Sequence, residues 1–255
     1  MANRQFKIGI KSKREIAILR DVGKILALII QELKSSLKSG MTTQEVDVIS
    51  EGLMRKYSVI PAFKGYRGFP ATVCISVNEE VVHGIPSARR VIQDGDIVSL
   101  DAGIVYRDYY SDMALTVGIG KVNESLKKLM EVTFQSLLSG IKQARVGNRL
   151  SDISHAVQEK VEANGFSVVR DFVGHGIGRH LHEDPEIPNF GEPHQGPVLE
   201  EGMVFAIEPM VNVGDWRTKI LSDGWTVVTM DRKPSAHFEH TIVLSKKGPE
   251  ILTKY

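Results

Sequence analysis

Five residues carry the chemistry that this chain displays most openly: Asp101, Asp112, His175, Glu208 and Glu239. Asp101 closes the apolar run Ile97-Val98-Ser99-Leu100, and Asp112 follows eleven residues later. Between them lie Ile104, Val105, Tyr106, Tyr109 and Tyr110, with a polar break at Arg107-Asp108, the pattern of two strands joined by a tight hairpin. With the turn centred between Tyr106 and Arg107, the two aspartates stand directly opposite each other, with Cβ atoms about 5 Å apart on one face. Like charges so placed destabilise a sheet unless cations sit between them; the alternative is a solvated pair at strand ends.

The second half of the chain adds an imidazole and two further carboxylates. His175 stands among glycines in Gly174-His175-Gly176-Ile177-Gly178, where the backbone can turn sharply and approach a ligand closely. Glu208 ends the apolar run of Gly202-Met203-Val204-Phe205-Ala206-Ile207, and Glu239 lies in the strand-like His237–Leu244, whose alternation lets it face inward. Each has an ordinary reading as a surface histidine, a solvated glutamate or an edge feature. Together they form a donor set of one imidazole and four carboxylates, which suits Mn, Co, Fe or a catalytic Zn better than a closed structural zinc site. Four negative charges point to two divalent ions, since one would leave excess buried charge. The segment His182-Glu183-Asp184-Pro185 is not a zinc-protease helix, because proline interrupts it and position 186 is glutamate, not histidine.

The elements that must position these residues are legible too. Ser12…Glu15 and Thr42…Glu45 are capping boxes that open two amphipathic helices, the first stopped near Gly40. Two more helices are expected from Glu124 to Ala144 and from Ser151 to Asn164. Strands are expected at Thr72–Val77, Val81–Val82, Ser167–Phe172, Met203–Pro209, Trp225–Thr229, His237–Leu244 and Glu250–Leu252. A shift of 107 residues superimposes Glu45-Val46 on Asp152-Ile153, and the run Gly95–Asp101 on Gly202–Glu208. This predicts one α/β domain over residues 1–255, built from two pseudo-repeats of about 12–119 and 120–245, with the site where their sheets meet.

Composition narrows the class. The chain has 255 residues, 42% of them hydrophobic and 25% charged, with a formal net charge of +1. That balance gives no electrostatic argument for nucleic acid or membrane as partner. The start, MANRQFKIGIKSKRE, lacks a signal-peptide core, and the single cysteine, Cys74, permits no internal disulfide, so a cytoplasmic location is expected.

The motifs HGIP (83–86), DIVSLDAG (96–103), YYSDMALT (109–116), GHGIGRHLHEDP (174–185), MVFAIEP (203–209) and SAHFEHTIVL (235–244) span the chain. Through them it closely resembles the bacterial form of type I methionine aminopeptidases. The resemblance implies the pita-bread fold: α/β (α+β), a mixed, mainly antiparallel sheet flanked by two helix pairs with internal pseudo-twofold symmetry. It implies removal of N-terminal methionine ahead of a small residue, from nascent chains at the ribosome, by a monomer that uses two divalent ions (Co, Mn, Fe or Zn). The family's metal ligands fall on Asp101, Asp112, His175, Glu208 and Glu239. Its non-ligand histidines fall on His83, which would contact the scissile nitrogen or the next residue, and His182, which would hydrogen-bond the carbonyl oxygen; Glu208 would also shuttle the proton. The methionine slot would be lined by Phe63, Tyr66, Phe69, Cys74, Leu181 and Trp225. Three positions depart from the usual pattern: His237 where Gln is common, Lys64 where an apolar residue is common, and Phe63 at a pocket position that is Cys in some relatives. Proline-specific peptidases of the same fold, or a non-catalytic interaction module, are the competing readings; only thirty residues separate Glu208 from Glu239, too few for the type II helical insertion.

Overall fold

The first helix pair begins where the capping boxes place it. In the computed structural model, which describes residues 8–254, Ser12 Oγ accepts from the Glu15 N–H and the Glu15 carboxylate accepts from the Ser12 N–H. This starts α1 (Lys13–Ser36); the same exchange between Thr42 and Glu45 starts α2 (Thr43–Lys56). Asn123 caps α3 (Glu124–Gln143), and α4 is Leu150–Glu162. α1 packs on α2 and α3 on α4, and each sinks an apolar stripe: Leu19, Val22, Leu26 and Ile30 in α1, Leu129 and Leu137 in α3, all fully buried. The basic N-terminal stretch Met1–Lys7 lies outside the described residues.

The described residues form fifteen strands, with α3 and α4 between the fifth and the sixth. They are β1 (Ile60–Pro61), β2 (Cys74–Val77), β3 (Glu80–Val82), β4 (Ile97–Tyr106), β5 (Tyr109–Gly118), β6 (Ser167–Val168), β7 (Gly174–Gly176), β8 (Glu183–Ile187), β9 (Val204–Ile207), β10 (Met210–Asn212), β11 (Thr218–Ile220), β12 (Val227–Thr229), β13 (Ser235–His237), β14 (His240–Ser245) and β15 (Gly248–Ile251). One sheet has the order β1-β4-β2 with β5 on β4, and another runs β15-β14-β9-β7-β8. Smaller sheets are β13-β10-β6 and β11-β12-β3. Every ladder among the described residues is antiparallel.

The 107-residue shift has structural counterparts. Thr42 bridges Val91, and Arg149 bridges Val198 at the shifted positions. Gly40 N–H donates to the Ile92 carbonyl, and Gly147 N–H to that of Leu199. β4 shifts onto β9 and β10.

The hairpin register differs from the sequence expectation. Tyr106 pairs with Tyr109, so the turn is centred between Arg107 and Asp108, both in the left-handed region (φ 51° and 63°). These dihedrals suit a two-residue hairpin turn that glycine or asparagine usually marks, a signal this sequence lacks. Asp101 therefore faces Ala114, and Asp112 faces Gly103. The aspartates remain on one face but stand diagonally, about 7–8 Å apart by sheet geometry rather than 5 Å. Two expected strands are also divided: 203–209 ends at Ile207, and 237–244 splits into β13 and β14. Glu208 and Glu239 occupy the two breaks.

Candidate active site

The two strand breaks release Glu208 and Glu239 from regular pairing. Pro209 has no N–H, and its carbonyl accepts from Phe238 N–H at 3.4 Å, while Glu239 N–H donates to the Ala114 carbonyl at 2.8 Å. Phe238 packs on Phe134 (ring centroids 5.5 Å apart) and His240 Nδ1 bonds Thr253 Oγ1, so the Glu239 side chain takes the opposite side, 2% exposed. Asp112 reaches the same place from β5: ligand atoms of Asp112, His175 and Glu239 all lie within 4.8 Å of one another. Asp101, in β4 opposite Cys74, and Glu208, whose Oε1 is 3.5 Å from His175 Nε2, line the same cavity.

The glycines around His175 have a different cause from the one the sequence suggested. His175 lies in extended β7, and a Cβ on Gly176 would stand 2.2 Å from the Asp184 carbonyl oxygen; one on Gly174 would stand 2.5 Å from that of Ala206. The glycines let β8 and β9 close on both sides of β7, which aims the imidazole at the carboxylates. At the other wall, Gly84 is required because a Cβ would meet the Ile75 carbonyl oxygen at 2.1 Å, and His83 is held at φ 58°. Non-glycine residues in that region are uncommon and cluster at functional sites.

Burial, then mutual repulsion, pushes the carboxyl groups of Asp101, Glu208 and Glu239 well above their usual range. Burial raises Asp112 to about 7. The imidazoles move the other way: burial and the neighbouring His182 bring His175 to about 3 and His83 to about 4. Burial and the Arg67 charge lower His182, and burial and His83 bring His237 to about 3. His182 stacks on Tyr66 and lies tilted against His175, with Tyr66 Oη 2.9 Å from its Nδ1. With the phenol donating, the ring proton of His182 is on Nε2, where it can be given to an oxyanion.

Apolar walls complete a cavity of about 150 Å³. Phe63, Tyr66, Phe69, Cys74, Leu181 and Trp225 line it with the five acid and imidazole groups, His83 and His182. Phe69 meets Phe63 and Trp225 edge-on, at 6.5 and 5.2 Å between centroids. The Cys74 thiol, pushed well up by burial and then by the carboxylates, is a small apolar wall element. Lys64 is exposed and pairs with Glu51 at 3.1 Å, so that departure leaves the cavity untouched.

The profile of metallopeptidase family M24 matches residues 17–246. A methionine aminopeptidase of Clostridium perfringens is 54% identical over 246 residues, covering 96% of this chain and 98% of the relative. The chain belongs to the methionine aminopeptidases of metallopeptidase family M24. The crystal structure of methionine aminopeptidase from Thermotoga maritima superposes with a TM-score of 0.95 at 49% identity, covering 97% of this chain and 100% of that one. A prolidase from Pyrococcus furiosus also shares the fold (TM-score 0.79, 25% identity), but 96% of this chain covers only 65% of it. Family membership implies divalent metal, and the site fits one. His175 Nδ1 is 2.9 Å from the Gly176 carbonyl, which can only accept. The proton is therefore on Nδ1, and the Nε2 lone pair faces the Glu208 carboxylate: two acceptors that need a cation or proton between them. Asp101 Oδ1 and Glu239 Oε1 are likewise buried without a hydrogen-bond partner.

Two neighbours escaped the sequence reading. Arg67 lines the cavity beside Tyr66, and Phe172 meets the His83 ring edge-on at 5.5 Å. Arg67 adjoins Tyr66 in the loop, a signal that was present; Phe172 had no local signal.

Proposed function

We propose that this chain removes the N-terminal methionine from peptides and newly made proteins whose second residue is small, with two divalent ions held by Asp101, Asp112, His175, Glu208 and Glu239. The observation that carries the reading is the junction of Asp112, His175 and Glu239, ligand atoms within 4.8 Å, with a small apolar cavity. When bound, the ions supply Lewis acidity and a water ionised near neutral pH. Their identity is Co, Mn, Fe or Zn, since a donor set of four carboxylates and one imidazole suits each.

The protein's own groups do the rest. Glu208 takes a proton from the attacking water and passes it to the leaving amine. His182 donates from Nε2 to the carbonyl oxygen as negative charge develops there. His83, on the opposite wall, hydrogen-bonds the scissile nitrogen or the next residue. Phe63, Tyr66, Phe69, Cys74, Leu181 and Trp225 take the methionine side chain, and a cavity of about 150 Å³ supports a single side chain there.

In the cell the substrates are N-termini emerging at the ribosome, and the chain works as a cytoplasmic monomer without nucleic acid or membrane. Among the described residues no helix is long and apolar enough to cross a membrane. The deciding assay compares Met-Ala-Ser with X-Pro peptides, before and after chelation and again after each metal is restored. Cleavage of Met-Ala-Ser that is lost and regained is expected; preference for X-Pro peptides, or activity indifferent to chelation, overturns the reading.

A further inference from the structure

Glu208 is bracketed by two imidazoles. Its Oε1 lies 3.5 Å from His175 Nε2, and its Oε2 lies 3.8 Å from His237 Nε2. His237 is 1% exposed, and both of its ring nitrogens are buried without a hydrogen-bond partner. A buried, unpaired imidazole N–H is costly, so its retention here asks for an explanation. The ring is not among the groups that line the cavity.

The ring's position is set by the scaffold. Thr116 Oγ1 accepts from the His237 N–H at 2.9 Å and donates to the His237 carbonyl at 2.8 Å. Ser99 Oγ in turn lies 2.8 Å from that Thr116 oxygen. His237 in β13 also pairs with Met210 in β10, two residues beyond Glu208. Three strands therefore fix the backbone from which the imidazole projects.

We propose that His237 is a positioning residue for Glu208: its Nε2–H donates to Oε2 and fixes the rotation of the carboxylate, so that Oε1 is presented beside His175. A shift of about 1 Å in the Glu208 side chain brings the pair to hydrogen-bond distance. A glutamine at position 237 offers an N–H at comparable reach and should serve; an apolar residue should not. The inference rests on the proposed role of Glu208 as ligand and proton carrier.

The test uses His237→Leu and His237→Gln in the full-length, manganese-loaded protein. His237→Leu should lower kcat on Met-Ala-Ser by about 10–100-fold, with KM within about 2-fold, and His237→Gln should recover most of that loss. In metal-free 15N-histidine-labelled protein, His237 should show a protonated Nε2 whose signal moves in Glu208→Gln. Unchanged kcat in His237→Leu, a His237→Gln as slow as the leucine variant, or a ring signal blind to Glu208→Gln overturns the inference. If His237→Leu does not fold, His237→Gln and the spectrum decide: slow turnover in the one or an indifferent signal in the other overturns it. Full turnover by Glu208→Gln would instead sink the reading of Glu208 itself, whereas an inactive Glu208→Gln beside a fully active His237→Leu sinks only this inference.

Discussion

The Thr241 hydroxyl in β14 satisfies both backbone polar groups of Asp112 in β5: its Oγ1 accepts from the Asp112 N–H at 3.1 Å and donates to the Asp112 carbonyl at 2.8 Å. Asp112 belongs to the first half of the chain and Thr241 to the second, so one side chain ties the two sheets together at the site. Thr241→Val keeps the shape and removes both bonds, leaving a buried N–H and C=O unpaired. A loss of about 2 kcal/mol in unfolding free energy is expected from denaturant titration, together with weaker metal binding. Wild-type stability in Thr241→Val would show that the clamp is dispensable.

β7 is squeezed between β8 and β9, and that sets a second expectation. Gly176→Ala puts a Cβ against the Asp184 carbonyl oxygen, backbone that cannot swing aside. The variant should lose about 2–3 kcal/mol, or fail to fold, and any folded fraction should bind metal poorly because His175 is displaced. Normal metal affinity with normal stability would mean that β8 yields freely.

Glu208 and His83 should fail in different ways. Glu208→Gln should retain the fold and lose turnover by several orders of magnitude, because an amide cannot carry the proton; the proposed role does not survive near-normal rates. His83→Ala should lower the rate about 10²–10⁴-fold while metal analysis still finds the full complement of ions. A fall in metal content would make His83 a ligand.

Metal removal should give stability a particular pH dependence. Asp112 titrates at about 7 in the folded, metal-free protein because burial disfavours its charge, against about 4 when unfolded. Between those values the folded state holds more protons than the unfolded state, so stability falls as pH rises. Chelated protein should melt at a higher temperature at pH 5.5 than at pH 7.5, Asp112→Asn should flatten that slope, and added metal should restore the loss at pH 7.5. Identical slopes for chelated wild type and Asp112→Asn would contradict the assignment.

The sequence alone determined what local physics governs. Capping boxes at Ser12 and Thr42 and a 3.6-residue apolar period mark where α1 and α2 lie and which face they bury. The repeat and the apolar runs ending on Asp101 and Glu208 are likewise written in the chain itself. What the tertiary structure decided is everything set by contacts across long separations. The hairpin register depended on Arg107 and Asp108 both adopting left-handed backbone, which aspartate tolerates but arginine does not announce. The breaks that free Glu208 and Glu239 arise because β9, β10, β13 and β14 join different sheets, and the short β7 and β8 exist only as partners of β9 and each other. The convergence of Asp112, His175 and Glu239, and the burial that turns ordinary carboxyl and imidazole groups into a cluster needing a cation or protons, depend on two strands and a strand break brought together from 112, 175 and 239. Sequence spacing names such residues; only packing sets the distances between them.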